Sequence, residues 1–167
     1  MMKKIVLLAI VLAFPLGAMA QKFAHLNSQE IIVSMPDYVK AEADLQTMYK
    51  EYQNEMLRTQ DEFNKKVQEY QQQADSLPQN IRERRMKELE DMQNRQAQFQ
   101  QEARQAMDKA QNDALAPITK KLDDAIQAVG RTDGYIYIFD LARTPIPYIG
   151  TESVDITAKV KTQLGIK

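Results

Sequence analysis

Residues 71–85 read QQQADSLPQNIRERR, and the break at Ser76-Leu77-Pro78 within them decides the fold. Proline disfavours helical geometry in the residue before it yet is tolerated in the first turn of a helix, so this stretch stops one helix and starts another. No glycine occurs between Gly17 and Gly130, and Asp37 to Val129 reads as two very long helices joined at that break. At about 1.5 Å per residue the arms reach roughly 60 to 80 Å, longer than a compact domain of this size can enclose. The sequence predicts an α+β fold: an antiparallel helical hairpin over residues 37–129, its tip near 76–80, projecting from a small body.

Working outward, the arms carry the pattern that pairs them. Leu45, Tyr49, Tyr52, Met56, Phe63, Val67, Tyr70, Ala74 and Leu77 recur at spacings of three and four, with Thr59 filling one gap. The return helix offers Ile81, Leu89, Met92, Phe99, Ala103, Met107, Ala110, Ala114, Ile118, Leu122, Ile126 and Val129 as the facing seam. These are coiled-coil stripes too narrow to bury the arms in a layered core. Ala116-Pro117 near the base is expected to kink the return helix. At both helix starts, Ser34-Met35-Pro36-Asp37 and Ser76-Leu77-Pro78-Gln79, the serine is the expected N-cap.

The body is read from both ends of the chain, residues 22–36 and 130–167. KFAHL (22–26) is β-compatible, and Asn27 to Glu30 supplies the cap of a short helix over Ser28 to Val33. Gly130 is expected to end the long helix, and Tyr135-Ile136-Tyr137-Ile138-Phe139 to form a strand apolar on both faces. Thr144 to Ile149 reads as an edge strand or extended turn, and Val154 to Thr157 as the start of a last helix ending at Gly165. So few strands leave faces and edges uncovered in one protomer, so the body is expected to be completed by self-association through Phe23, Leu26, Tyr135, Ile136, Tyr137, Ile138 and Phe139.

Residues 1–20 carry Lys3-Lys4, an apolar run from Ile5 to Phe14 and Ala18-Met19-Ala20, the pattern of a secretory signal peptide cleaved after Ala20. Export to the periplasm follows as an expectation, and the chain has no cysteine with which to form a disulfide there. Without residues 1–20 there are 20 Lys+Arg against 23 Asp+Glu, a net charge of −3 that argues against nucleic acid as a partner. The hairpin itself has 14 basic and 18 acidic residues. Only its tip is basic: Arg82, Arg84, Arg85 and Lys87 face the single acid Glu83, which suggests contact with anionic lipid headgroups or acidic partner segments.

Catalytic chemistry is sparse. His25 is the only histidine, no glycine-rich phosphate loop occurs, and the acidic residues are spread along solvent-facing helix positions without metal-ligand clustering. The chain reads as a non-enzyme without catalytic residues, cofactor or metal.

An exported chain opening KFAHLNSQEI, running through a long capped hairpin and closing with YIYIFD and SVDIT, resembles the Skp/OmpH family of periplasmic chaperones over residues 22 to 167. That resemblance implies a homotrimer whose three hairpins hang from a shared β body, and ATP-independent holding of unfolded outer-membrane β-barrel proteins between the arms. The other reading the residues allow is a structural adaptor bridging envelope components through its arm tips.

Overall fold

The structure, a computed structural model, describes residues 21–166; the expected leader over residues 1–20 lies outside them. In chain order the elements are β1 (Phe23–Leu26), α1 (Ser28–Val33), α2 (Pro36–Gln73), a 3-10 turn (Ala74–Ser76), α3 (Gln79–Asp133), β2 (Tyr137–Asp140), β3 (Ser153–Asp155) and α4 (Thr157–Gln163). Helices α2 and α3, of 38 and 55 residues, form the hairpin. The turn has the geometry its sequence requires: Leu77 is extended at φ −82°, ψ 138°, as the residue before a proline should be.

The helix starts differ from expectation in one respect, and the difference is the same at both. Neither serine caps the helix that follows it. Ser34 Oγ donates to the Ile31 carbonyl (2.7 Å) and Ser76 Oγ to the Gln73 carbonyl (2.8 Å), so each closes the preceding segment by satisfying a carbonyl at its end. The N-caps are Met35 and Pro78, both extended and without a side-chain bond. Asn27 does cap α1 as expected, its side chain accepting from Glu30 N–H at 3.1 Å.

At the far end α3 runs through Gly130 and stops at Gly134. Gly134 takes the left-handed conformation, φ 72°, and its N–H returns to the Gly130 carbonyl. Gly130 is glycine for another reason: a Cβ there would stand 2.9 Å from Ile138 Cδ1, so its bareness lets β2 lie against the helix. Replacing Gly134 with alanine is expected to cost about 1 kcal/mol from backbone strain alone, since no atom lies within 4 Å of the added methyl. An unchanged thermal midpoint would show that the cap conformation is not what terminates the helix.

The sheet is three-stranded, order β2-β1-β3, and wholly parallel, so the first strand of the chain lies at its centre. This corrects two expectations. The strand expected over Tyr135 to Phe139 is displaced: β2 runs from Tyr137 to Asp140, at the edge of the protomer's own sheet, with alternating burial. Ser153 to Asp155 is strand rather than helix, and Thr144 to Ile149 is irregular. The inner face of the sheet is covered within the protomer. Ala24, Leu26, Ile31, Leu122, Ile156 and Val160 are all fully buried there, supplied by β1, α1, the base of α3 and the start of α4. A real core therefore exists in one chain, because the base of α3 folds down over the strands.

Along the arms the stripe is nearly as read. Met48, half-buried, takes the seam place expected for Tyr49, whose ring is exposed and whose hydroxyl accepts from Gln53 Nε2 (2.8 Å). The hairpin is pinned across by Tyr52 against Phe99, ring centres 5.9 Å apart, and by Gln96 Nε2 donating to Gln60 Oε1 at 2.8 Å. Helix α3 is continuous through Pro117.

Candidate functional site

A narrow stripe joining two long helices cannot fill the whole space between them, and the structure shows where it fails. Three open grooves follow the hairpin seam. Near the base, about 500 Å³ lies over Ala41, Leu45, Met48, Ala110, Ala114 and Ile118. Midway, about 410 Å³ is bounded by Tyr49, Tyr52, Met56, Ala103 and Met107. Towards the tip, about 920 Å³ opens over Phe63, Val67, Tyr70, Met86 and Leu89. Methionine and aromatic side chains are prominent in the middle and tip grooves, which are polarizable, adaptable surfaces rather than shaped pockets, whereas the base groove is lined by alanine, Leu45 and Ile118 beside Met48.

The four basic residues expected at the tip are all exposed, but they do not form one patch. Arg82 and Lys87 border the tip groove, whereas Arg84 and Arg85 lie with Lys87 around a separate shallow depression that also holds Glu88, Asp91 and Arg95. Arg85 is engaged, its Nη1 3.1 Å from Glu88 Oε2, and Lys66 reaches the same carboxylate from the other arm at 3.4 Å. Burial would push the Glu88 carboxyl up, but Arg85 and Lys66 outweigh it and hold it below the usual glutamate range. The bases form a collar around α3, and beside it the Lys66–Glu88 pair ties the arms together.

The seven residues assigned to the body divide between its two sides. Leu26 is fully buried in the protomer's own core, and Tyr135 and Ile138 pack against that core. On the outer face Phe23, Tyr137 and Phe139 stack in succession, with ring centres 6.3 and 6.2 Å apart, and Tyr137 remains 61% and Phe139 39% exposed. Ile136, just before the strand, is exposed as well.

One arrangement went unnoticed in the sequence: the lone His25 lies beside Ser153, Nδ1 to Oγ 2.9 Å, with Asp155 opposite it in the β1–β3 register. It is not built as a nucleophile and base. Asp155 Oδ1 accepts from the Thr157 N–H at 2.9 Å, and hydrogen bonds from the Thr157 hydroxyl and backbone hold its carboxyl below the usual aspartate range. That carboxylate serves the start of α4 rather than orienting the imidazole. No sequence spacing signals this contact, since residues 25 and 153 meet only through the parallel crossover. Among the described residues no group of three or more His, Cys, Asp or Glu is placed to hold a metal, and no helix is long and apolar enough to cross a membrane.

A hairpin of this length rising from a small parallel sheet has a counterpart among known families. The sequence profile described as outer membrane protein (OmpH-like) matches residues 22–164. The chain belongs to the OmpH-like family. Its fold is that of a crystal structure from Caulobacter crescentus CB15, described as that of a “putative outer membrane chaperone (OmpH-like)”, with a TM-score of 0.74 at 16% identity over 89% of this chain and 86% of that one. A search of curated proteins finds no match. At such low identity the OmpH-like fold is retained through the order of its elements and the periodicity of its arms, which many sequences satisfy.

Proposed function

We propose that this OmpH-like protein is an exported, ATP-independent holdase that binds unfolded outer-membrane β-barrel proteins in the periplasm and keeps them from aggregating. The observation carrying this reading is the run of apolar grooves along the arms, lined by alanine and leucine at the base and by methionine and aromatic side chains farther out. An unfolded barrel strand presents apolar side chains at alternate positions, and a holder must meet many such strands weakly without fixing one register. Unbranched, polarizable side chains on open surfaces do that, and membership of the OmpH-like family supports the same role.

Self-association, as a homotrimer, completes the reading. Parallel sheets are normally covered on both faces, and here Phe23, Tyr137 and Phe139 leave the outer face of the sheet aromatic and partly exposed. Covering that face with further copies would gather several hairpins around one body and present the grooves of each to one client. On this reading residues 22–36 and 130–167 are the assembly body, residues 37–129 the client-holding arm, and residues 1–20 the export signal.

The function is tested by diluting a urea-denatured, tryptophan-containing barrel protein into buffer with or without this chain and without nucleotide. The chain has no tryptophan, so client fluorescence is read without interference. Suppressed light scattering with a soluble, unfolded client is the expected result; unchanged aggregation from folded protein refutes it. For the tip, reversing Arg82, Arg84, Arg85 and Lys87 to glutamate is expected to abolish binding to vesicles containing anionic lipid, by about 1 kcal/mol per lost base at low salt. Equal vesicle binding by wild type and variant would remove lipid headgroups from the partners.

A further inference from the structure

The outer face of the sheet carries one residue out of keeping with its aromatic neighbours. Burial alternates along β1, with Ala24 and Leu26 turned into the core and Phe23 and His25 to the other side. His25 therefore stands on the central strand, level with Phe139 of β2 on one side and Asp155 of β3 on the other. Phe23, Tyr137 and Phe139 make the rest of this face aromatic. Histidine changes its charge between about pH 5 and 8, a range in which phenols and phenyl rings stay neutral.

The groups around the ring decide which of its two forms a covered face tolerates. On β2, Phe139 faces it without charge, while Asp140, on the inner side, is engaged with the Ser28 N–H (3.1 Å) and with Arg143 (3.2 Å). On β3, Ser153 Oγ lies 2.9 Å from Nδ1, and a hydroxyl there serves the neutral ring as donor or acceptor. Asp155 is the carboxylate level with the ring. Hydrogen bonds from the Thr157 hydroxyl and backbone hold that carboxyl below the usual aspartate range, so it stays ionised wherever a histidine titrates. The same bonds tie it to the start of α4, at an exposed position on an edge strand. Lys22 and Lys159, the nearby ammonium groups, both reach Asp133 instead, at 3.3 and 2.6 Å.

We propose that His25 makes self-association through this face pH-dependent: copies join while the imidazole is neutral and part as it takes up a proton. The neutral ring is satisfied by Ser153 and adds apolar area to the interface. The imidazolium donates from both nitrogens, and among the described residues the protomer offers an acceptor to only one of them. Covering the face would strip the water that serves the other and leave a charge among aromatic rings. The inference rests on the self-association reading and adds what controls it. By linkage, an assembly that refuses the proton weakens up to about tenfold per protomer for each pH unit below the ring's titration.

His25 is the only histidine, so in an untagged chain its ring signal in NMR needs no assignment. Its titration is followed at high protein concentration and after dilution to monomer, with mass read by light scattering at about pH 7.5 and about pH 5.5, on either side of an ordinary histidine titration. The midpoint is expected to be lower in the assembly than in the monomer, and association to be about tenfold or more weaker at the lower pH with the helical signal unchanged. His25→Gln, polar but never charged, is expected to assemble at the higher pH and to lose the pH dependence. Equal midpoints at the two concentrations, or a pH dependence that survives in His25→Gln, overturn this inference alone. Tighter association at the lower pH overturns it too, by showing that Asp155 holds the imidazolium within the interface, as does a loss of helical signal that accompanies dissociation. A wild-type chain that is monomeric at both pH values removes the self-association reading and this inference together. If His25→Gln does not fold, the wild-type titrations decide.

Discussion

Leu122→Ala should lower the stability of the body by about 3 kcal/mol, the usual cost of emptying a leucine-sized space that its surroundings cannot refill. Leu122 is fully buried on α3, among Leu26 and Ala24 of β1, Ile31 of α1, and Ile156 and Val160 at the start of α4. It holds the long helix onto the sheet, so its loss loosens the joint between arm and body. Small domains are stable by only about 5–15 kcal/mol, so a loss of this size should move the urea midpoint markedly. Leu57→Ala provides the contrast: Leu57 is 64% exposed on α2, and its removal should stay within about 0.5 kcal/mol. Equal effects at the two positions would mean that the described core does not carry the fold.

The second large effect is on the proposed self-association rather than on folding. Tyr137→Ser with Phe139→Ser is expected to leave the protomer folded and to abolish self-association, read as a fall to monomer mass in size-exclusion chromatography with light scattering. Both rings lie outside the protomer core, Tyr137 stacked between Phe23 and Phe139 on the outer sheet face. Each buried aromatic at the centre of an interface contributes about 2 kcal/mol or more, so removing two per protomer should weaken association by at least about a hundredfold. Unchanged mass in the double variant would place the interface elsewhere, and loss of helical signal would show that the rings support the protomer itself. If assembly fails while the arms stay intact, client holding should fall as well, because the grooves of separate hairpins no longer act together.

The hairpin was legible because its determinants are local. Ninety-odd residues without glycine, one proline break and a three-four apolar stripe act through neighbours within a turn or two, and the structure follows them closely. The places where the reading slipped share a different character. Ser34 and Ser76 stand before helices as good N-caps do, yet each hydroxyl finds a carbonyl three residues back, and sequence contains both possibilities equally. Gly130 looks like a helix end until Ile138 is seen lying against it. Ser153 to Asp155 is strand only because β1 is there to pair with it.

The amino-acid sequence by itself therefore determined the arms, their length, their turn and their acidic balance, since helix periodicity and proline stereochemistry are short-range physics. The tertiary structure alone decided that the first strand is the middle of a parallel sheet, that the base of α3 closes its inner face, and that alanines opposite one another leave a groove. The sheet order depends on residues more than a hundred positions apart, such as Phe23 with Tyr137 and His25 with Ser153, and the other two outcomes on residues many turns distant. Nothing local distinguishes a strand that will be central from one that will be an edge, because pairing energy belongs to the partner as much as to the strand.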